Sequence, residues 1–377
     1  MDYGPWSTVS YLYPMIYRAI GLMSGSSLDG LDIVFTELEE QSGNWNFQVL
    51  AADCYPYDDE WTSKLENAIH LNARQYQLFH AAYGHYLGEQ VNRFIEQYNL
   101  HYKVALIASH GHTSFHMPAQ KMTAQLGDGS AIAAVTGLPV VSDLRALDVA
   151  FGGQGAPIVP IGEKLLWKEY SLFLNLGGIA NISFNRQEGY TAFDVCPANR
   201  VLNLLAQRVN KNYDAGGQMA SMGQVHAGLL LQLNQLSYYN QPHPKSLSNS
   251  FGTDEVYPLI RSFGLTHNDE LRTFVEHIVQ QLEKSVKQIH VSNEPSKMMV
   301  TGGGALNSFL VERLTEFLKL SGVEVVVPDE TTVQYKEALV MALIGVLRWR
   351  QEYNVLSSVT GARRNSIGGA LWIGLEA

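Results

Sequence analysis

The sequence predicts an α/β protein of two domains, and three observations carry that prediction. At 377 residues the chain is longer than one hydrophobic core usually supports. Two distant stretches, 16–36 and 171–187, each read as a strand, a Gly-containing turn and a second strand. After each hairpin, short apolar runs alternate with stretches of helical periodicity, the order in which helices cover a sheet. The halves share this plan without a residue-level repeat, so a duplication is inferred from organisation alone.

Each element has its own signal. Residues 16–36 form the first hairpin, and FQVLAADCYPY (47–57) adds a third strand. From 61 to 98 the apolar residues Leu65, Ile69, Leu78, Ala82, Leu87, Val91 and Ile95 recur near a 3.6 period, which predicts a helix. VALIASHGHTSFH (104–116) begins as a buried strand and ends polar, and open α/β sheets place ligand groups at such strand ends. SAIAAVTG reads as a short helix stopped by Gly137, and LPVVSDLRALDVAFGGQGAP as a strand entering a Gly-rich loop. In the second half, TAFDVCPANRVLNLLAQRV reads strand, loop, helix. A helical region spans 218–290 with a break near YYNQPHPKSLSNSFG. Residues 298–318 read strand, triple-Gly turn, helix; VEVVVPD is a strand, and 334–353 a helix with one apolar side. The expected division is an extension over 1–15, a first domain over 16–145 onto which 352–377 packs back, and a second domain over 146–351.

Composition narrows the function. A net charge of -10 without any Lys/Arg run argues against nucleic acid as the partner. An anionic small ligand stays open if backbone N–H groups hold it. Two cysteines, Cys54 and Cys196, are too few for a disulfide framework or a zinc site and fit a reducing compartment. The first residues lack the pattern of a secretory leader, and no run of ~18 apolar residues exists to span a bilayer, so no membrane contact and a cytoplasmic location are expected. The Tyr- and Pro-rich start either packs on the first domain or is partly disordered.

Three Gly turns follow apolar strands: GLMSGSSLDG, NLGGIANIS and TGGGALN. One such turn is commonly a tight hairpin. Three, the first flanked by Asp29 and Asp32, point to backbone approach to phosphate groups. None matches the P-loop or the dinucleotide fingerprint. The candidate phosphate-binding residues are Gly25, Ser26, Ser27, Leu28, Asp29, Gly30, Leu31 and Asp32 in the first turn, Gly177 and Gly178 in the second, and Gly302, Gly303 and Gly304 in the third.

This arrangement resembles the nucleotide-binding plan of the sugar kinase, actin and Hsp70 superfamily. The resemblance implies a two-domain actin-like ATPase fold of duplicated ribonuclease H-like domains with a cleft between them. Within that superfamily GLMSGSSLDGLD, SHGHTSFHMP, GGQGAPIVP, LNLGGIANIS, AFDVCPANRVLN and VTGGGALN, in this order, resemble the anhydro-N-acetylmuramic acid kinase family over nearly everything after residue 16. The resemblance implies ATP-dependent phosphorylation of O6 of 1,6-anhydro-N-acetylmuramic acid with hydrolytic ring opening, in recycling of cell-wall fragments. It implies Mg²⁺ near Asp29 and Asp32, a homodimer, and Asp194 as the base that deprotonates the attacking water. By residue type alone, Asp194 could equally cap the helix after Pro197. Thr113, Arg145 and Glu337 are the candidate sugar contacts. Arg145 suits the lactyl carboxylate of a muramic acid, or else an ion pair with Asp143 or Asp148. His110, His112 and His116 are read as solvated or substrate-facing rather than as a metal site.

The chain departs from the family pattern mainly on the expected sugar side. Cys196-Pro197-Ala198 replaces Gly-Pro-Gly, His112 replaces Gln, and DLRALD has lost two basic residues. Of a further family stretch only Pro244, Lys245 and Ser246 remain. These changes keep two other functions in view: a kinase for another amino sugar or anhydro-sugar, and a non-catalytic ATP or sugar sensor.

Overall fold

A computed structural model describes residues 14–25, 28–186, 189–242, 245–248, 250–289 and 295–374. Ser26, Ser27, Pro244 and the extension up to residue 13 lie outside the described residues. The chain forms two compact units, 1–167 with 335–377, and 168–334. These divisions differ from the expected ones after 145 and 351. The reason is packing: residues after 145 and the helix that opens the last segment are built into the first unit. Lys336 bonds Glu163 at 2.8 Å, and any side chain on Gly162 would strike Val340.

In the first unit, β1 (Met15–Ser24), β2 (Leu31–Gln41) and β3 (Asn44–Tyr55) form an antiparallel meander. β4 (Leu106–Met117) runs parallel to β1, β5 (Met122–Leu126) pairs antiparallel with its far end, and β6 (Val140–Ser142) runs parallel to β4. The C-terminal β12 (Ala370–Trp372) closes the edge against β6, which gives the order β12-β6-β4-β1-β2-β3. β1 is central, and Ala19, Ile20, Gly21, Leu22 and Ser24 in it are buried, with Ala19 and Ile20 wholly removed from solvent. Burying Ile20 stabilises the fold by roughly 1.5–3 kcal/mol.

The helical stretch 61–98 is two helices. α1 (Asp59–Glu66) and α2 (Ala73–Gln97) are separated by a break at which Asn72 and Gln75 form a reciprocal capping box. α2 buries Tyr83, Leu87, Val91 and Phe94 against the sheet. α3 (Gly129–Thr136) ends at Gly137 in the left-handed conformation. Short helices α4 (Ala146–Ala150) and α5 (Pro160–Leu166) follow.

The second unit repeats the strand plan. β7 (Leu172–Leu176), β8 (Ile179–Arg186) and β9 (Gly189–Pro197) form an antiparallel meander. β10 (Ser296–Thr301) is parallel to β7, and β11 (Val323–Val326) is parallel to β10, for the order β11-β10-β7-β8-β9. Both sheets therefore place a three-strand meander beside two parallel strands in one shared order. That is the duplicated ribonuclease H-like plan of the sugar kinase and actin ATPases. Helices α6 (Asn199–Gln207), α7 (Gln218–Met222), α8 (Ala227–Asn234), α9 (Tyr257–Ser262), α10 (His267–Ile289) and α11 (Ser308–Lys319) complete the unit. α10 is its buried axis, contributing Leu271, Phe274, Val275, Ile278, Val279 and Leu282 to the core. α12 (Glu330–Trp349) lies mostly in the first unit, as does α13 (Ser357–Thr360). Among the described residues, no helix is long and apolar enough to cross a membrane.

Candidate active site

The first Gly turn joins β1 to β2, whose pairing runs from Met15↔Glu40 to Ser24↔Leu31. Two of its glycines answer to packing. A Cβ on Gly21 would lie 1.9 Å from the Ala338 carbonyl oxygen, so Gly21 lets β1 press against α12. A Cβ on Gly30 would lie 2.6 Å from Cys54 Sγ, so Gly30 makes room for β3. Leu28 takes a left-handed φ of 58°, and its N–H reaches the Gly25 carbonyl at 3.4 Å. Asp32 sits opposite Cys54 in the sheet and accepts a hydrogen bond from its thiol. Burial, joined by repulsion from Asp29 and Glu337, pushes the Asp32 carboxyl up to about 6 despite that bond. The same environment pushes the Cys54 thiol up to about 12.

Ser24, at the end of β1, is held by a buried hydroxyl chain. Tyr57 donates to Ser24 Oγ at 2.8 Å, so Tyr83 donates to Tyr57 at 2.6 Å, and Ser24 Oγ and His112 Nδ1 share a hydrogen bond at 3.0 Å. Burial lowers the His112 pKa, which favours the neutral imidazole.

Arg145 has neither aspartate for a partner. Its Nε donates to His110 Nε2 at 2.8 Å and Nη1 to the Gly155 carbonyl at 2.9 Å. His110 Nδ1 donates to the Gly111 carbonyl at 2.9 Å, which fixes the tautomer that accepts from arginine. Burial and the neighbouring Arg145 charge push His110 down to about 3. Burial also pulls the guanidinium down to about 10, opposed by the charge of Glu337, so Arg145 stays cationic at neutral pH. Asp148 is committed elsewhere: its carboxylate accepts from the Gly155 N–H and from Thr360 Oγ1, each at 2.8 Å. It ties down the loop whose carbonyl holds Arg145. Burial raises the Glu337 carboxyl, while Lys336 and Arg145 oppose that rise. Thr113 is exposed on β4, with Gln125 Nε2 donating to its hydroxyl at 3.4 Å. His110 and His112 are buried parts of hydrogen-bond chains, so the solvated reading is corrected for both; His116 is exposed and bonded to Thr123.

In the second unit the Gly177-Gly178 turn joins β7 to β8. Its carbonyls receive the first N–H groups of α6: Asn199 N to Gly177, and Ala198 N and Arg200 N to Gly178. A Cβ on Gly177 or Gly178 would meet nothing nearer than 3.5 Å, so neighbouring atoms do not demand glycine at either position. The third turn differs. Gly302 has φ +82°, its Cβ site is 2.3 Å from Asn175 Oδ1, and that of Gly304 is 2.6 Å from Leu176 Cβ. Those two glycines lock the third turn onto the end of β7, while Gly303 has 3.7 Å of clearance.

Asp194 does not cap α6, whose N-cap is Ala198 without a side-chain cap. The residue lies on β9 at a bulge, opposite Asn181, while Cys196 pairs with Ala180. Its N–H donates to the Lys245 carbonyl at 3.0 Å, its Oδ2 accepts from the Leu247 N–H at 2.8 Å, and Tyr238 donates to its carbonyl at 2.7 Å. Burial raises its pKa, opposed by Leu247 and Ser246. Cys196 and Ala198, departures expected on the sugar side, are wholly buried in the core of this unit.

The first unit thus brings together Asp29, Asp32, Arg145 and Glu337 as charges that act on one another, and the second carries Asp194 and two glycine turns. Sequence reasoning missed His110, Asp148 and Gly155 as the supports of Arg145. Gly155 lies in the GGQGAP motif and His110 in SHGHTSFHMP, but neither motif carried this role until the hydrogen bonds were visible.

Fold and family together define a sugar kinase. The profile of the anhydro-N-acetylmuramic acid kinase family matches residues 17–374. Proteins named anhydro-N-acetylmuramic acid kinase are similar throughout. That of Sulfurovum sp. (strain NBC37-1) is 32% identical over 370 residues, covering 94% of this chain and 99% of that protein. That of Vibrio cholerae serotype O1 is 31% identical over 370 residues, covering 94% and 97%. That of Synechococcus elongatus is 32% identical over 375 residues, covering 92% and 96%. The chain belongs to the anhydro-N-acetylmuramic acid kinase family.

Proposed function

We propose that the protein uses ATP to phosphorylate O6 of 1,6-anhydro-N-acetylmuramic acid while water opens the anhydro bridge, yielding N-acetylmuramic acid 6-phosphate for reuse of cell-wall fragments. The observation that carries the reading is Asp194: a carboxylate on a bulged strand, oriented by the Leu247 N–H and with its pKa raised by burial. A carboxylate whose pKa is raised is a stronger base. Asp194 takes a proton from water as the oxygen attacks C1. The C1–O6 bond then breaks, its electron pair stays on O6, and O6 takes the γ-phosphoryl group as ADP leaves.

Arg145, fixed by His110 and Gly155, is assigned to the lactyl carboxylate, with Thr113 and Glu337 as hydroxyl contacts. The Gly177-Gly178 turn is assigned to phosphate oxygens, since its open space is not explained by neighbouring atoms. Mg²⁺ fits the first unit: Asp32 is buried beside the charges of Asp29 and Glu337, a set that a hard cation relieves. Asp29 and Asp32 would hold it, and it would supply neutralisation of phosphate charge. We place the reaction in the cytoplasm, where ATP is available, and in the homodimer that the family resemblance implies.

ADP release with ATP, Mg²⁺ and the anhydro-sugar tests the reading. Asp194→Asn is expected to lower kcat by about 10²–10⁴ with nucleotide binding retained. Full turnover in that variant would remove Asp194 as the base.

A further inference from the structure

We propose that Arg200 is a phosphate-binding residue of the second glycine turn, supplying the positive charge that the turn's own backbone does not. This deepens, and rests on, the reading of Gly177-Gly178 as a phosphate turn.

Four other arginines of the same unit are paired with carboxylates. Arg208 and Arg261 both pair with the buried Glu270, and Arg272 and Arg313 both pair with Glu276. Arg200 has no carboxylate or other hydrogen-bond partner for its side chain among the described residues, and its Nε is buried. An arginine partly withdrawn from water without a counter-charge carries a desolvation cost that an anion would offset. Its place says which anion. Arg200 is the second residue of α6; its N–H is bound by the Gly178 carbonyl at 3.4 Å. Its Cβ lies 3.7 Å and its Nε 3.8 Å from the point a Gly178 Cβ would occupy. The side chain therefore runs along the turn.

The helix start cannot serve the anion unaided. In many phosphate turns the first N–H groups of the following helix face the ligand. Here those of Ala198, Asn199 and Arg200 are already taken by the Gly177 and Gly178 carbonyls. The guanidinium is a nearby side-chain donor with no partner among the described residues, and its planar fork suits a phosphate.

Titration calorimetry of the full chain with the non-hydrolysable nucleotide AMP-PNP and Mg²⁺, without sugar, tests this. Arg200→Gln is expected to weaken binding by about 10- to 100-fold, the worth of a charge-assisted contact, and Arg200→Lys to restore part of it. The unfolding temperature without nucleotide is expected to stay the same in both variants, because no intramolecular partner is lost; a purely structural arginine would lower it. Unchanged AMP-PNP affinity in Arg200→Gln overturns the proposal, as does a lost affinity matched by a lower unfolding temperature that Lys does not rescue. Because the titration contains no sugar, failure of the anhydro-sugar assay leaves this readout intact, and the two readings fail separately.

Discussion

Replacing Gly21 by Ala places a methyl group 1.9 Å from the Ala338 carbonyl oxygen and 2.7 Å from the Ala342 nitrogen. Ordinary contact begins at 3.4 Å, so the nearer pair is short by about 1.5 Å. Both obstructing atoms are backbone of α12, and neither can rotate away. β1 or the helix must therefore move, and β1 is the central strand of its sheet. Overpacking of this kind costs about 1–3 kcal/mol, and the upper end applies where no side chain can yield. At ~2–4 °C per kcal/mol for a unit of this size, the expected loss is about 6–12 °C in Tm. Gly177→Ala is the control, since its methyl would meet nothing nearer than 3.5 Å. That variant is expected to unfold within about 1 kcal/mol of the natural protein and still bind AMP-PNP more weakly, because the methyl enters the space assigned to phosphate. Urea unfolding and nucleotide titration of both variants separate the two roles. A Gly21→Ala protein as stable as the natural one would refute the packing argument. A Gly177→Ala protein with intact nucleotide affinity would refute the phosphate argument.

Two further outcomes are expected. His277 is buried between Asn234 and Tyr239 with its pKa pushed down to about 3 from 6.5, so the unfolded chain binds its proton more readily than the folded one. The stability it contributes is present above pH 6.5 and lost as pH falls toward 3, by about 2 kcal/mol at pH 5; urea unfolding at pH 7.5 and 5 should show a shallower decline in His277→Gln, and an unchanged decline would count against the assignment. Cys196→Gly restores the family residue, yet it is expected to cost about 2 kcal/mol of stability through a core cavity and backbone entropy, leaving the sugar KM unaltered; a KM shifted tenfold would put Cys196 back at the sugar.

Much of the fold was legible because its signals are local. Apolar runs beside Gly turns located both hairpins, and Gly137 marked the end of α3. The division between α1 and α2 was written in the sequence as Asn72 and Gln75, a capping pair overridden by the longer apolar period. β12 is three residues whose strand state exists only through pairing with β6, so no local signal could announce it. The same distinction separates the site residues. Arg145 was visible, but its choice between neighbouring aspartates and a histidine 35 residues earlier is a tertiary fact. Gly21 shows a further limit: a glycine demanded by a helix packing on it reads the same in sequence as one demanded by a ligand.

The direction of Cys196 has a single geometric cause. Side chains alternate along a strand, so Asp194 and Cys196, two apart, should share a face. By that rule a side chain at 196 stands beside the base and blocks the sugar. The pairing of β8 with β9 breaks the rule: Asp194 faces Asn181, Cys196 faces Ala180, and Val195 is the extra residue. A bulge turns the following side chain to the other face. Phe193, Val195 and Cys196 all enter the core, whereas Asp194 stays partly exposed. One inserted residue thus does two things: it presents the carboxylate at a bend braced by Leu247, and it moves the altered residue away from it. The substitution that most suggested a changed substrate is, on this geometry, a change in how the strand is packed.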